Sequence, residues 1–62
     1  MTNSTPRAPH FFSVAKVAAI LEVSAKTVRR WIARGDLRVH QLGRQLRIAE
    51  EDLMAFLARN RK

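Results

Sequence analysis

No cysteine and no tyrosine occur in the 62 residues, and glycine, proline and histidine occur twice each. Without cysteine there is no disulfide to staple the chain and no thiolate to grip a metal, so packing alone must hold it. That is a demanding condition, because a domain of this size buries only about 60% of the surface its unfolded chain exposes. His10 and His40 are isolated, with no further histidine at ligand spacing, so neither a metal nor a cofactor is expected. The same isolation leaves no nucleophile and base pair. The clustered acids Glu50, Glu51 and Asp52 suit the start of a helix better than catalysis, so an enzyme is not expected. Long apolar runs are also missing, which excludes a membrane span, and the N-terminus lacks a signal-peptide layout. The expectation is a soluble, cytosolic protein without a membrane partner.

Acidic residues are scarce. Five Asp and Glu stand against twelve Lys and Arg, a net charge of +7, with an isoelectric point near 11.7. Such an excess implies a polyanionic partner. Residues 13–49 hold eight of the cations and only Glu22 and Asp36 as acids, whereas Glu50, Glu51 and Asp52 sit together just beyond. The asymmetry suggests one binding face. Aromatic residues are few, one Trp and three Phe. That weighs against a single-stranded RNA reader, which stacks bases on exposed rings. A docking site for an acidic protein remains the other alternative to duplex DNA.

What is present has an order. Residues 1–10, beginning MTNSTPRAP, combine both prolines with small polar residues and read as a flexible arm, leaving 11–62 as the domain. Ser13 is a candidate N-cap, with Phe12 before it and Val17 four residues after it as a staple pair. A first helix over Val14 to about Leu21 would bury Val14, Val17, Ala18, Ile20 and Leu21 and leave Lys16 outside. Ser24 caps a second helix of about Ala25 to Arg34, which Gly35 ends. On that helix Lys26, Arg29, Arg30 and Arg34 fall within about 140°, while Val28, Trp31 and Ile32 share the opposite side. One face is cationic and the other is core, with Trp31 among the core residues.

From Leu37 the period changes to two. Gly43-Arg44 interrupts the alternation as a two-residue primed turn, so a hairpin is expected with Arg44 at its tip, Leu46 and Ile48 inward and Arg47 outward. A third helix starts on Glu50, Glu51 and Asp52, with Leu53, Phe56 and Leu57 as its apolar set. The fold class is therefore mainly α with a small β-hairpin: a winged helix-turn-helix. Two helices joined by a tight turn present the second to the major groove, where Lys26, Thr27, Arg29, Arg30 and Arg34 would meet bases and phosphates. Arg44, Gln45 and Arg47 are the wing candidates, and Ser24, Lys16 and Arg7 are possible phosphate contacts.

The stretch FFSVAKVAAILEVSAKTVRRWIARGDLRVHQLGRQLRIAEEDLMAFLAR, residues 11–59, resembles the small excisionase-like proteins of the MerR superfamily. The resemblance rests on Val23-Ser24, Thr27-Val28, Trp31-Ile32, Gly35-x-Leu37, Gly43-Arg44, Arg47-Ile48, Asp52-Leu53 and Phe56-Leu57, taken in order. Glu22 stands where many helix-turn-helix sequences have glycine, and Ala49 where such proteins often have proline. The resemblance implies a recombination directionality factor of a phage or mobile element, DNA-associated in a bacterial host cell. Such a factor binds several sites beside neighbouring copies of itself, bends the DNA and turns a site-specific integrase toward excision. The alternative that the resemblance implies is a small transcriptional regulator of such elements.

Overall fold

The computed structural model describes residues 10–61, so of the arm expected at residues 1–10 only His10 lies within them. Three helices and a three-stranded sheet follow in the order β1 (Phe11–Phe12), α1 (Val14–Leu21), α2 (Ala25–Ala33), β2 (His40–Leu42), β3 (Gln45–Ala49) and α3 (Glu50–Arg59). This is the winged helix-turn-helix architecture, three helices with an antiparallel hairpin.

Local chemistry sets most boundaries. The hydroxyl of Ser13 accepts from the Lys16 N–H at 3.0 Å, and that of Ser24 accepts from the Thr27 N–H at 3.0 Å, so each of the first two helices begins on a serine cap. Helix α1 ends as Glu22 turns left-handed at φ 57°. Its N–H donates to the Ala19 carbonyl and the Val23 N–H donates to Ala18, at 3.2 and 2.9 Å. That bond pair is a Schellman closure, in which a left-handed residue satisfies carbonyls a helix end would leave open. Helix α2 closes the same way. Gly35 at φ 82° donates to Ile32, and Asp36 donates to Trp31. The helix stops at Ala33, one residue short of the expected Arg34, which takes the cap position.

The second closure turns the chain inward and drives Leu37 into the core at 1% exposure. Leu37 was expected to open a strand. Instead its N–H bonds back to Trp31, and strand β2 begins only at His40. Gly43 is left-handed and Arg44 is not, the φ pattern of a type II′ hairpin turn. Leu42 faces Gln45 across that turn, so the expected hairpin tip stands.

Strand β1 is the element that periodicity missed. Phe11 pairs with Ala49 and Phe12 with Ile48, giving the sheet order β1-β3-β2. The pairing places Phe12 on the same face as fully buried Ile48. It also continues one residue further, where the His10 carbonyl accepts from the Glu50 N–H at 2.9 Å. That bond satisfies an open donor of α3, whose N-cap, Ala49, has no side-chain oxygen to do so.

Val17, Val28, Leu37 and Ile48 form the centre of the core, each worth about 1.5–3 kcal/mol on burial. They come from α1, α2, the loop and β3, so all four parts close on one point. Trp31 is half-buried against it, its ring 4.8 Å from that of Phe56. Leu46 also packs against the core from its edge. Ile20 departs from expectation and is 45% exposed. The buried arc of α1 runs through Val14, Val17, Ala18 and Leu21, and Ile20 lies about 100° from Leu21, outside it. Leu57 likewise sits at the rim rather than inside.

Candidate nucleic-acid interface

Helix α2 is amphipathic in the sense that matters for a polyanion. Val28 is fully buried and Trp31 and Ile32 are half-buried, so the helix is anchored along one side. Lys26, Arg29 and Arg30 are exposed on the other, and none of them has a carboxylate partner among the described residues. Cations held on a rigid helix without neutralising acids form a standing positive field.

The start of α2 strengthens that field. A helix N-terminus carries about half a positive charge and is ordinarily complemented by acids. Helix α3 obeys this rule, with Glu50, Glu51 and Asp52 in its first turn and Arg59 in its last. Helix α2 has no acid in its first turn and places Lys26 there. Two positive ends thus coincide where a phosphate would relieve both. Ser24 and Thr27 flank the same turn, their hydroxyl oxygens 3.0 Å apart. Thr27 therefore spends its hydroxyl on the cap and turns only part of its surface to solvent.

The remaining candidates divide. Arg34 is exposed at the end of α2, with Nε 3.4 Å from the Asp36 carboxylate, so it stands beyond the helix and partly neutralised. Arg44 is exposed at the hairpin tip. Gln45 and Arg47 share one face of β3 and are hydrogen-bonded to each other. Arg47 donates also to the Leu46 carbonyl at 2.9 Å and is half-buried, not fully outward as expected. Lys16 is exposed on α1. Arg7 lies outside the described residues.

Two further arginines belong to the picture, although neither is among the DNA contacts expected from the sequence. Arg38 is exposed in the segment that joins α2 to the hairpin, on a polar cleft shared with Asp36, Asp52 and Arg59. Arg59 donates to the Asp36 carbonyl at 2.6 Å and pins α3 to the turn after α2. Asp52 lies 3.3 Å from Nε2 of His40, tying α3 to the wing. His40 also meets the Phe11 ring edge-on. Only the positive count of this stretch signalled Arg38. Among the described residues no three metal-binding side chains come together, and no helix is long and apolar enough to cross a membrane.

Comparison with known proteins agrees with this geometry. The family described as "Helix-turn-helix domain" matches residues 11–61, nearly every residue described. A curated relative, "Uncharacterized protein YvgK" of Bacillus subtilis (strain 168), is 40% identical over 45 residues, 73% of the chain. The chain spans about 15% of that relative's length. No solved structure matches it.

Proposed function

The chain belongs to this helix-turn-helix domain family, a DNA-binding one, and from that premise we propose that it acts as a small excisionase. In this reading it binds repeated duplex sites beside neighbouring copies of itself, bends the DNA and directs a site-specific integrase toward excision. The observation that carries the DNA contact is the unneutralised set Lys26, Arg29 and Arg30 on a helix anchored from behind by Val28 and Trp31. Arg29 and Arg30 are the base readers, since a guanidinium can grip guanine O6 and N7 together. Lys26 with the capped start at Ser24 takes a phosphate. Thr27, its hydroxyl engaged, offers a methyl group. Arg34 and Lys16 clamp the backbone from the two helices, and Arg7 adds a contact from the arm.

Arg44 at the wing tip reaches the backbone or the adjacent minor groove, with Gln45 and Arg47 behind it. The excisionase role is supported by the resemblance of residues 11–59 to that group, and by the small footprint of one helix and one wing. A footprint of that size needs repeated sites for tight occupancy.

Selection from random duplexes yields the target, after which occupancy is measured on DNA carrying one or several copies. Greater occupancy per site on the longer array is expected, and equal occupancy would remove the cooperative part of the reading. A recombination assay with a site-specific integrase, should one be encoded beside this gene, completes the test. Stimulated excision with suppressed integration is expected, whereas unchanged recombination together with a shifted promoter output would point to transcriptional control.

A further inference from the structure

Helix α3 has an outward face of unusual composition. A solvent face is ordinarily charged, yet between the acids of its first turn and Arg59 the exposed residues of α3 are Met54, Ala55, Leu57 and Ala58. Met54 is 58% exposed and Leu57 36%. Glu50, Met54 and Leu57 fall within about 60° of one another on the helix. Arg61 follows Leu57 by four residues and lies just past the Asn60 cap of α3, held there by its N–H, which donates to the Ala58 carbonyl at 3.4 Å. The stripe thus reads acid, apolar, apolar, base.

That order is self-complementary when reversed. We propose that α3 is a pairing surface for a second copy of this chain, antiparallel and two-fold symmetric, with Glu50 facing Arg61 of the other copy and Met54 facing its Leu57. One register satisfies both contacts, because Glu50 precedes Met54 by as many residues as Arg61 follows Leu57. A two-fold contact uses the same patch twice, so each charge pair forms at both ends. Leu57 borders a cleft of about 430 Å³ whose apolar lining is Leu21, Val23, Trp31 and Phe56 and whose polar lining is Arg34, Asp36 and Asn60. Across the pair the flexible Met54 of the other copy lies opposite its mouth, a side chain suited to filling an irregular gap. In the single chain Glu50 is 3.6 Å from His10 and remains half-exposed, available to a second partner.

The surface leaves Lys26, Arg29 and Arg30 clear, although Arg34 borders the same cleft. Trp31 of α2 meets Phe56 of α3, so α3 lies behind α2, on the side opposite Lys26, Arg29 and Arg30. A pair joined through α3 presents two recognition helices related by a two-fold axis, and inverted half-sites are then its natural target. The use on DNA rests on the function proposed above, but the contact itself does not and is tested without DNA. Helices this short make a small interface, so the association is weak in solution and gains from two sites on one duplex.

Sedimentation equilibrium of the full chain from about 10 μM to about 1 mM covers the range expected for such a contact. Reversible dimers are expected in the wild type and none with Met54→Asp, at unchanged far-UV circular dichroism and unchanged affinity for a single-site duplex. Glu50→Arg and Arg61→Glu should each be monomeric alone, and their equimolar mixture should form heterodimers, since the mixture restores both charge pairs. A wild type monomeric throughout, charge variants that pair as the wild type does, or a mixture no better than its parts would overturn the pairing. Failure of the wild type to bind any duplex would instead sink the proposed function and leave the pairing standing.

Discussion

Glu22 holds the turn between α1 and α2 in a conformation that suits glycine. A left-handed backbone costs an L-residue about 1–2 kcal/mol, because its Cβ crowds the following carbonyl. Glycine has no such crowding but a more disordered unfolded state, which takes back part of the gain. Glu22→Gly should therefore raise the unfolding free energy by about 1 kcal/mol. Urea denaturation reads this, and no change in duplex affinity is expected, because the left-handed geometry is already in place at φ 57°. Lys26 carries the opposite lesson. It sits at the positive end of α2, where a carboxylate would be favoured. Lys26→Glu should stabilise the domain by about 0.5–1 kcal/mol while weakening DNA binding at least tenfold. Thermal unfolding and a binding titration on the same sample test both halves, and a variant that loses stability would show that the helix start is not electrostatically frustrated.

At the scale of an element, α2 separates anchoring from recognition onto two sides of one helix. Trp31→Ala should destabilise by about 3–5 kcal/mol, since the indole packs on Phe56 and closes the core from α2. Arg30→Ala should leave the unfolding midpoint unchanged and reduce specific affinity, by about 1–3 kcal/mol if it grips a base. Calorimetry of both variants beside a binding isotherm separates the roles, and an unfolded Arg30 variant would mean the faces are reversed. These two faces were legible in the sequence because they depend only on helical spacing, and the caps were legible because Ser13, Ser24 and Gly35 act on neighbours within a few residues. Strand β1 was not legible, because two phenylalanines are too short to show a period and their pairing with Ile48 and Ala49 spans the whole domain. Leu37 was misplaced for a related reason. Its burial follows from the direction in which the Schellman closure sends the chain, a consequence of geometry rather than of alternation. In the candidate site, the exposure of Lys26, Arg29 and Arg30 follows from spacing. The engagement of Thr27 by Ser24, of Arg34 by Asp36 and of Arg47 by Gln45 depends on side-chain torsions that no pattern encodes.

For the whole molecule, the distribution of charge decides how binding responds to salt. Its cations lie mainly in residues 13–49, while three of its five acids cluster at the start of α3. Glu50 and Asp52 there face His10 and His40 rather than arginines. The acids thus subtract little from the recognition face, and only Arg34 among the candidate cations is drawn toward a carboxylate. If five or six cations meet phosphates, each releases a condensed counterion, and the logarithm of the association constant should fall by about 4–6 per logarithmic unit of salt. Titrations of a single-site duplex between low and moderate ionic strength give that slope directly. Arg44→Ala should lower it by about one if the wing tip contacts a phosphate, with the loss equal on specific and nonspecific DNA. A loss confined to the specific site would place Arg44 in a groove instead, and a flat salt response in the unmodified chain would mean that its charge excess meets no polyphosphate backbone.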